Sequence, residues 1–167
     1  MDSEGVRFLL VRVGGRWFAV EAGQVETLRR RETLYPPPAA GPYLVGLLPV
    51  EGHPVPVVDL AVCLGISDGR DRRDRLILVG CPDTAPLAFL VQAVSGPVLV
   101  PWTGIHALPP LLVEAQVRPV VWAMIEWQES WIPALDLGLV LPEEEVNALQ
   151  ACARAYQGGS DDAAIAA

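Results

Sequence analysis

The chain has 167 residues, of which 51% are hydrophobic and 19% charged. That is enough apolar material for one domain or two fused subdomains with a real core, and it excludes a disordered chain. The net charge is −8 and the basic residues are all Arg, clustered only at Arg29-Arg30-Arg31 and between Arg70 and Arg75, which argues against a nucleic-acid partner. In chain order, Val6 to Val13 reads as a strand, Gly14-Gly15 as a tight turn, and Arg16 to Val20 as the returning strand. Gln24 to Arg31 reads as a strand or a short helix, and Pro36-Pro37-Pro38 as an extended surface segment. Leu44 to Val50 and Val55 to Leu60 form a hairpin around Glu51-Gly52-His53. Asp59 then caps a short helical turn that ends at Leu64 and is closed by Gly65.

The charged loop from Ser67 to Arg75 is read as the seam between two halves. Strands follow at Leu76 to Val79, Leu87 to Val94 and Val98 to Val100, and Trp102 to Pro110 reads as irregular. Val120 to Trp127 and Trp131 to Leu135 form the last hairpin, turning at Gln128-Glu129-Ser130. Glu143 to Tyr156 predicts a helix, because Val146, Leu149, Ala153 and Tyr156 share one face and three Glu occupy its first turn. Gly158-Gly159 is expected to stop it, and Ser160 to Ala167 to fray.

An internal repeat organises these elements. Val55-Pro56-Val57-Val58-Asp59-Leu60 recurs 77 residues later as Ile132-Pro133-Ala134-Leu135-Asp136-Leu137. Phe18-Ala19-Val20-Glu21 is echoed 71 residues later by Phe89-Leu90-Val91-Gln92. Strand, strand and Asp-capped turn, twice over, predict two similar β-units with Phe18 and Phe89 in equivalent places. Short strands with frequent Pro and Gly turns fit barrels, which leave no open sheet edge.

The residues of chemistry are sparse. His53 sits in a turn and His106 in a loop, and neither has a Ser, Cys or Asp at triad spacing. A hydrolase built on either is the enzyme reading, and surface turn residue is the plainer one. Asp59 and Asp136 read as caps before they read as paired carboxylates. Cys63, Cys81 and Cys152 lack metal-ligand spacing, and Gly14-Gly15 lacks the rest of a phosphate loop, so no metal or cofactor is expected. Trp122 and Trp127 are an odd number apart, which places them on opposite strand faces, so one of the two is expected in the core. Trp17, Trp102 and Trp131 complete a set that suits either an interface or the sealing of a small barrel. An acidic start and proline-broken apolar runs predict a cytoplasmic protein with no direct membrane insertion.

Taken together, Phe18-Ala19-Val20 after a Gly turn, Val25 with Leu28, Gly46, Gly52, the Val55 to Leu60 word, Phe89-Leu90-Val91 and the second Pro-x-Leu-Asp-Leu word resemble the CheW-like domain family, from Phe8 to Leu141. The resemblance implies a mainly β fold. Two SH3-like five-stranded β-barrel subdomains would share a hydrophobic seam across residues 6–141, followed by a C-terminal helix at 142–157 and a tail at 158–167. It also implies a non-catalytic adaptor that couples chemoreceptors to a CheA-type histidine kinase, in chemotaxis or type IV pilus motility. Carried over residue by residue, Val25, Gly46 and Gly52 are expected to contact the kinase regulatory domain. Thr27, Val50, Glu51, Phe89, Leu90 and Val91 are expected to form the groove for a chemoreceptor tip. Family members have Asn-Leu-Arg-Gly where this chain has Pro49-Val50-Glu51-Gly52, so Glu51 reverses a charge, and Thr27 replaces a Glu. Those departures motivate the alternative, a divergent member serving another signalling complex without chemoreceptor contact.

Overall fold

The computed structural model describes residues 4–30, 34–36, 43–66, 76–80, 86–116 and 119–159. Within them run strands β1 (Gly5–Val13), β2 (Arg16–Glu21), β3 (Val25–Arg30), β4 (Leu44–Val50), β5 (His53–Asp59), β6 (Leu76–Gly80), β7 (Leu87–Val91), β8 (Ala93–Pro101), β9 (Ile105–Ala107), β10 (Val121–Trp127) and β11 (Ser130–Leu135). The helices are α1 (Leu60–Leu64), α2 (Pro110–Ala115) and α3 (Glu143–Gly159), and 3-10 turns occupy Ala22–Gln24, Trp102–Gly104 and Leu137–Leu139. Among the described residues no helix is long and apolar enough to cross a membrane.

The strands form two sheets, one ordered β8-β1-β2-β11-β10-β9 and the other β3-β6-β7-β5-β4. Connection lengths show that both are rolled. Five strand spacings of about 4.8 Å would hold β8 and β9 roughly 24 Å apart in a flat sheet. Only the turn Trp102–Gly104 joins them, and it reaches at most about 14 Å. In the second sheet, β3 leads within a few residues to Tyr35, whose backbone N–H and C=O both bond Leu47 on the far edge strand β4 (2.8 and 2.9 Å). That edge is reachable only if the sheet curls.

The core divides into three clusters that follow the period-2 alternation of the strands. Phe8, Leu10, Ala19, Val100, Ala123, Ile125, Ile132 and Ala134 fill the six-stranded barrel. Leu48, Val55, Val57 and Ala88 fill the five-stranded one. Phe18, Val20, Val58, Phe89, Val91 and Leu135 face the third cluster, the seam between barrels, with Leu137, Leu141 and Leu149. The strands β2, β5, β7 and β11 are therefore apolar on both faces, one filling a barrel and the other the seam. Helix α3 covers the seam with Leu149 and Val146; its Ala153 is also buried, while Glu143, Glu144 and Arg154 stay exposed. Tyr156 lies where side chains are not described.

The boundary between barrels is not at residues 67–75, which fall outside the described residues. The strands on either side, β5 and β6, belong to the same sheet. The second barrel (residues 25–91) is instead inserted into the first. The chain crosses over at Ala22–Gln24 and returns at Gln92. A glutamine side chain fixes each crossing: the Gln24 amide donates to Asp136 Oδ1 (3.0 Å) and accepts from Leu137 N–H (3.2 Å), and Gln92 accepts from Gly15 N–H (2.9 Å). A charged loop resembles a boundary in sequence because both kinds of segment are polar.

Both capping aspartates are as expected. Asp59 accepts from Ala61 N–H and Asp136 from Gly138 N–H, each at 3.0 Å. Gly65 closes α1 at φ +74°. The Phe18 and Phe89 equivalence is not. In the parallel pair β5/β7, Val58 stands opposite Phe89. In β11/β2, its counterpart Leu135 stands opposite Val20. Aligning the Asp words therefore places Phe89 with Val20 and Leu87 with Phe18, a slip of two residues that leaves the same face in the seam.

Other expectations need correction. The stretch at Gln24 to Arg31 is the strand β3, after a 3-10 turn. Leu87 to Val94 is two strands, broken at Gln92 where the chain changes sheets. The irregular stretch after Trp102 holds β9 and leads into α2. One barrel has six strands rather than five. The helix α3 takes Gly158 and Gly159 into its last turn, where glycine is tolerated. Pro37, Pro38, Cys81 and 160–167 lie outside the described residues.

Candidate partner-binding surfaces

The expected contact residues lie on the five-stranded barrel, and strand registers fix their relation. Thr27, Val79, Ala88, Val57 and Gly46 form one row across β3, β6, β7, β5 and β4. Val25 sits at the start of β3, half-buried against the seam. Glu51 and Gly52 form the β4–β5 turn, five residues along the strands from Val57 and Gly46, or about 17 Å past the Thr27 row. The structure thus joins Thr27, Val25 and Gly46 in one zone and holds Glu51 and Gly52 on a separate tip.

That tip is well determined. Val50 and His53 are paired, and the two residues between them both have positive φ, +51° at Glu51 and +83° at Gly52. This is the two-residue hairpin geometry that glycine favours at its second position. Both residues are exposed, while Val50 packs on the five-stranded barrel's core.

Of the expected contact residues, Phe89, Val91 and Gly46 are interior and Leu90 is half-buried. Phe89 is fully buried and Val91 nearly so, both in the seam, and they cannot reach a partner unless the barrels part. Leu90 packs on the five-stranded core. Gly46 is buried too. A Cβ there would lie 2.8 Å from the Tyr35 carbonyl oxygen and 3.0 Å from Leu34 Cβ. Its lack of a side chain admits the Leu34–Pro36 segment against β4. Gly80, level with Val25, is equally constrained, since its Cβ would meet the Gln24 carbonyl at 2.8 Å.

Sequence reasoning missed two exposed apolar residues on this barrel, Leu28 (46% exposed) and Val45 (36%). For Leu28 a signal existed. It is an odd number of residues from Val25, so the two face opposite sides of β3. For Val45 there was none, because it sits at the irregularity between Leu44 and Gly46 in the β4–β5 register.

His106 Nε2 lies 3.2 Å from Glu126 Oε1, and its ring is 4.8 Å from that of Trp131. No group of three or more His, Cys, Asp or Glu converges among the described residues. Burial, then the Glu145 carboxylate that accepts its hydroxyl, push Tyr43 up to about 12. This bond ties the start of β4 to α3. Trp122 is exposed, stacked on Phe8 at 6.2 Å, and Trp127 is half-buried against the six-stranded core rather than within it.

Two rolled sheets, one inserted into the other across a shared apolar seam, define a double-barrel protein of the SH3-like kind. The CheW-like domain model matches residues 7–145, and the chain belongs to that family. It is 26% identical over 148 residues to the chemotaxis protein CheW of Rhizobium meliloti (strain 1021), covering 89% of this chain and 95% of that one. Its fold is similar to the crystal structure of the scaffolding protein TtCheW from Thermoanaerobacter tengcongensis, with a TM-score of 0.70 at 15% identity, over 79% of this chain and 89% of that one.

Proposed function

We propose that this chain is a non-catalytic adaptor of chemosensory signalling, coupling chemoreceptors to a CheA-type histidine kinase. The observation that carries the reading is the family match over residues 7–145 on a double-barrel fold. The kinase contact is assigned to the β3 and β4 side of the five-stranded barrel. There Val25 and Gly46 set the shape, and exposed Leu28 and Val45 supply apolar area. The receptor contact is assigned to Val50 and Glu51 at the hairpin tip, with Phe89, Leu90 and Val91 supporting it from within; Thr27, expected in the receptor groove, lies in the β3–β4 zone instead, and Gly52, expected at the kinase, shares the tip with Glu51.

Glu51 decides between this reading and a member that serves another complex. It is exposed, and its hairpin presents a negative charge where relatives carry a positive one. A receptor tip matched to it must offer a basic residue, because like charges across an interface can cost several kcal/mol. The test is Glu51→Arg in pull-downs with the cognate receptor tip and the kinase regulatory domain. The expected outcome is at least tenfold weaker tip binding, corresponding to about 1.4 kcal/mol, with the kinase contact retained. Unchanged binding to both partners would leave Glu51 a solvated turn residue. A wild-type chain that captures the kinase and no receptor tip would favour the alternative.

A further inference from the structure

One end of the six-stranded barrel opens into a concavity of 530 Å³ lined by Leu10, Trp17, Val98, Trp127, Trp131 and Ile132. Leu10 and Ile132 belong to the barrel interior and form its floor. Three indoles form its walls: Trp17 and Trp131 are 40% and 56% exposed, and Trp127 is half-buried. The wall at Trp131 is braced, because its ring lies against that of His106 and Glu126 holds His106 in turn. The lining residues come from five neighbouring strands, β8, β1, β2, β11 and β10. The concavity is therefore a trough that crosses strands, and four strand spacings make it up to about 19 Å long.

The trough is rich in unused hydrogen-bond donors. Among the described residues the side chains of Trp17, Trp127, Trp131, Ser95, Gln128 and Ser130 make no hydrogen bond. An indole offers an N–H and no acceptor, so its complement is a chain of free carbonyl groups beside apolar side chains. A helix satisfies its carbonyls internally along its length. An added β-strand needs an open sheet edge, and a trough across paired strands has none. A polyproline II segment leaves every carbonyl free, and at 3.1 Å per residue about six residues span the trough. Its proline rings suit aromatic walls, and its stiffness lowers the entropy lost on docking. Charge selects further. Arg12 stands directly across from Trp17 and shares the face of Leu10, which places its guanidinium at the rim. Among the described residues its side chain makes no ion pair or hydrogen bond. Glu129, exposed in the β10–β11 turn, gives the other end of the trough the opposite sign.

We propose that this trough is a docking site for a proline-rich polyproline II segment of a partner protein, with an acidic residue at the Arg12 end. The indole N–H groups donate to its carbonyls, the prolines lie between the indoles, and Arg12 pairs with the acid. The site lies on the six-stranded barrel, apart from the β3–β4 zone and the Glu51 tip, and stands independently of the receptor and kinase assignments.

Titration of the isotope-labelled chain with the synthetic peptide acetyl-Glu-Glu-Pro-Pro-Ala-Pro-Pro-Ala-Pro-amide, read at the indole N–H resonances, tests this. Saturable shifts are expected at Trp17, Trp127 and Trp131, with Trp102 and Trp122 unmoved. Trp131→Ala is expected to weaken binding at least tenfold and Arg12→Gln several-fold; both positions are exposed, and unchanged circular dichroism checks the folds. A peptide with Gln for both Glu should lose the same several-fold on the wild-type chain and nothing on Arg12→Gln. A peptide with Ser for every Pro should bind at least tenfold more weakly. No saturable shift, equal binding of the Ser peptide, or an Arg12→Gln chain that binds the acidic peptide as tightly as wild type would overturn the proposal. So would indoles that shift with the chain's own concentration and are not released by the peptide, since a second copy would then be the occupant.

Discussion

Gly46 and Glu51 lie five residues apart on one hairpin and answer to different physics. At Glu51 the backbone is left-handed and the side chain is free in solvent, so identity there is open to selection by a partner. At Gly46 the surrounding backbone excludes any side chain. Gly46→Ala is expected to lose roughly 1–3 kcal/mol, the scale of an overpacked core, read as a lower urea midpoint with unchanged slope. A variant of unaltered stability that binds the kinase less well would instead make Gly46 a contact residue. Tyr43 offers a titration. Its pKa is raised from 10.0 to about 12 in the folded chain. Between those values the unfolded tyrosine has lost its proton while the folded one keeps it, so stability falls as pH rises from 10 to 12. In Tyr43→Phe this part of the fall should disappear, which stability curves at pH 9 and pH 12 would reveal. An identical fall in both chains would contradict the assignment.

Elements were legible where local chemistry defines them. Asp59 and Asp136 announce their turns because a carboxylate two residues before an unsatisfied backbone N–H is a cap in almost any context. Replacing either with Ala should cost about 0.5–2 kcal/mol, measured by denaturant unfolding. Asp136 should lie at the upper end, because it also accepts from Gln24 across the crossover. Equal and negligible losses would mean the caps are incidental. Helix α2 was illegible for a related reason. Two prolines and a run of exposed leucines resemble loop and core at once, and no amphipathic face marks so short a helix. The break at Gln92 was hidden because an apolar run continues straight through it while the chain changes sheets.

At the scale of the molecule, the repeat foretold two β-units but not how the chain partitions between them. The Asp words mark equivalent strands in the two barrels, each paired in parallel with a strand that the Phe words also mark. Insertion of one barrel in the other depends on which strands pair, a long-range choice that sequence periodicity does not carry. The candidate site divides in the same way. Glu51 and Gly52 were readable as surface from the turn, whereas Thr27 shares the half-buried face of Val25. Phe89 and Val91 were not readable as seam, because strands apolar on both faces give no sign of which face meets what. The central claim is that one small chain with two barrels joins two partners. Sedimentation of the receptor tip with the kinase regulatory domain, with and without this chain, tests it most directly. The account predicts that tip and kinase migrate together only when the chain is present; a chain that joins neither, or a tip and kinase that associate equally well without it, would contradict it.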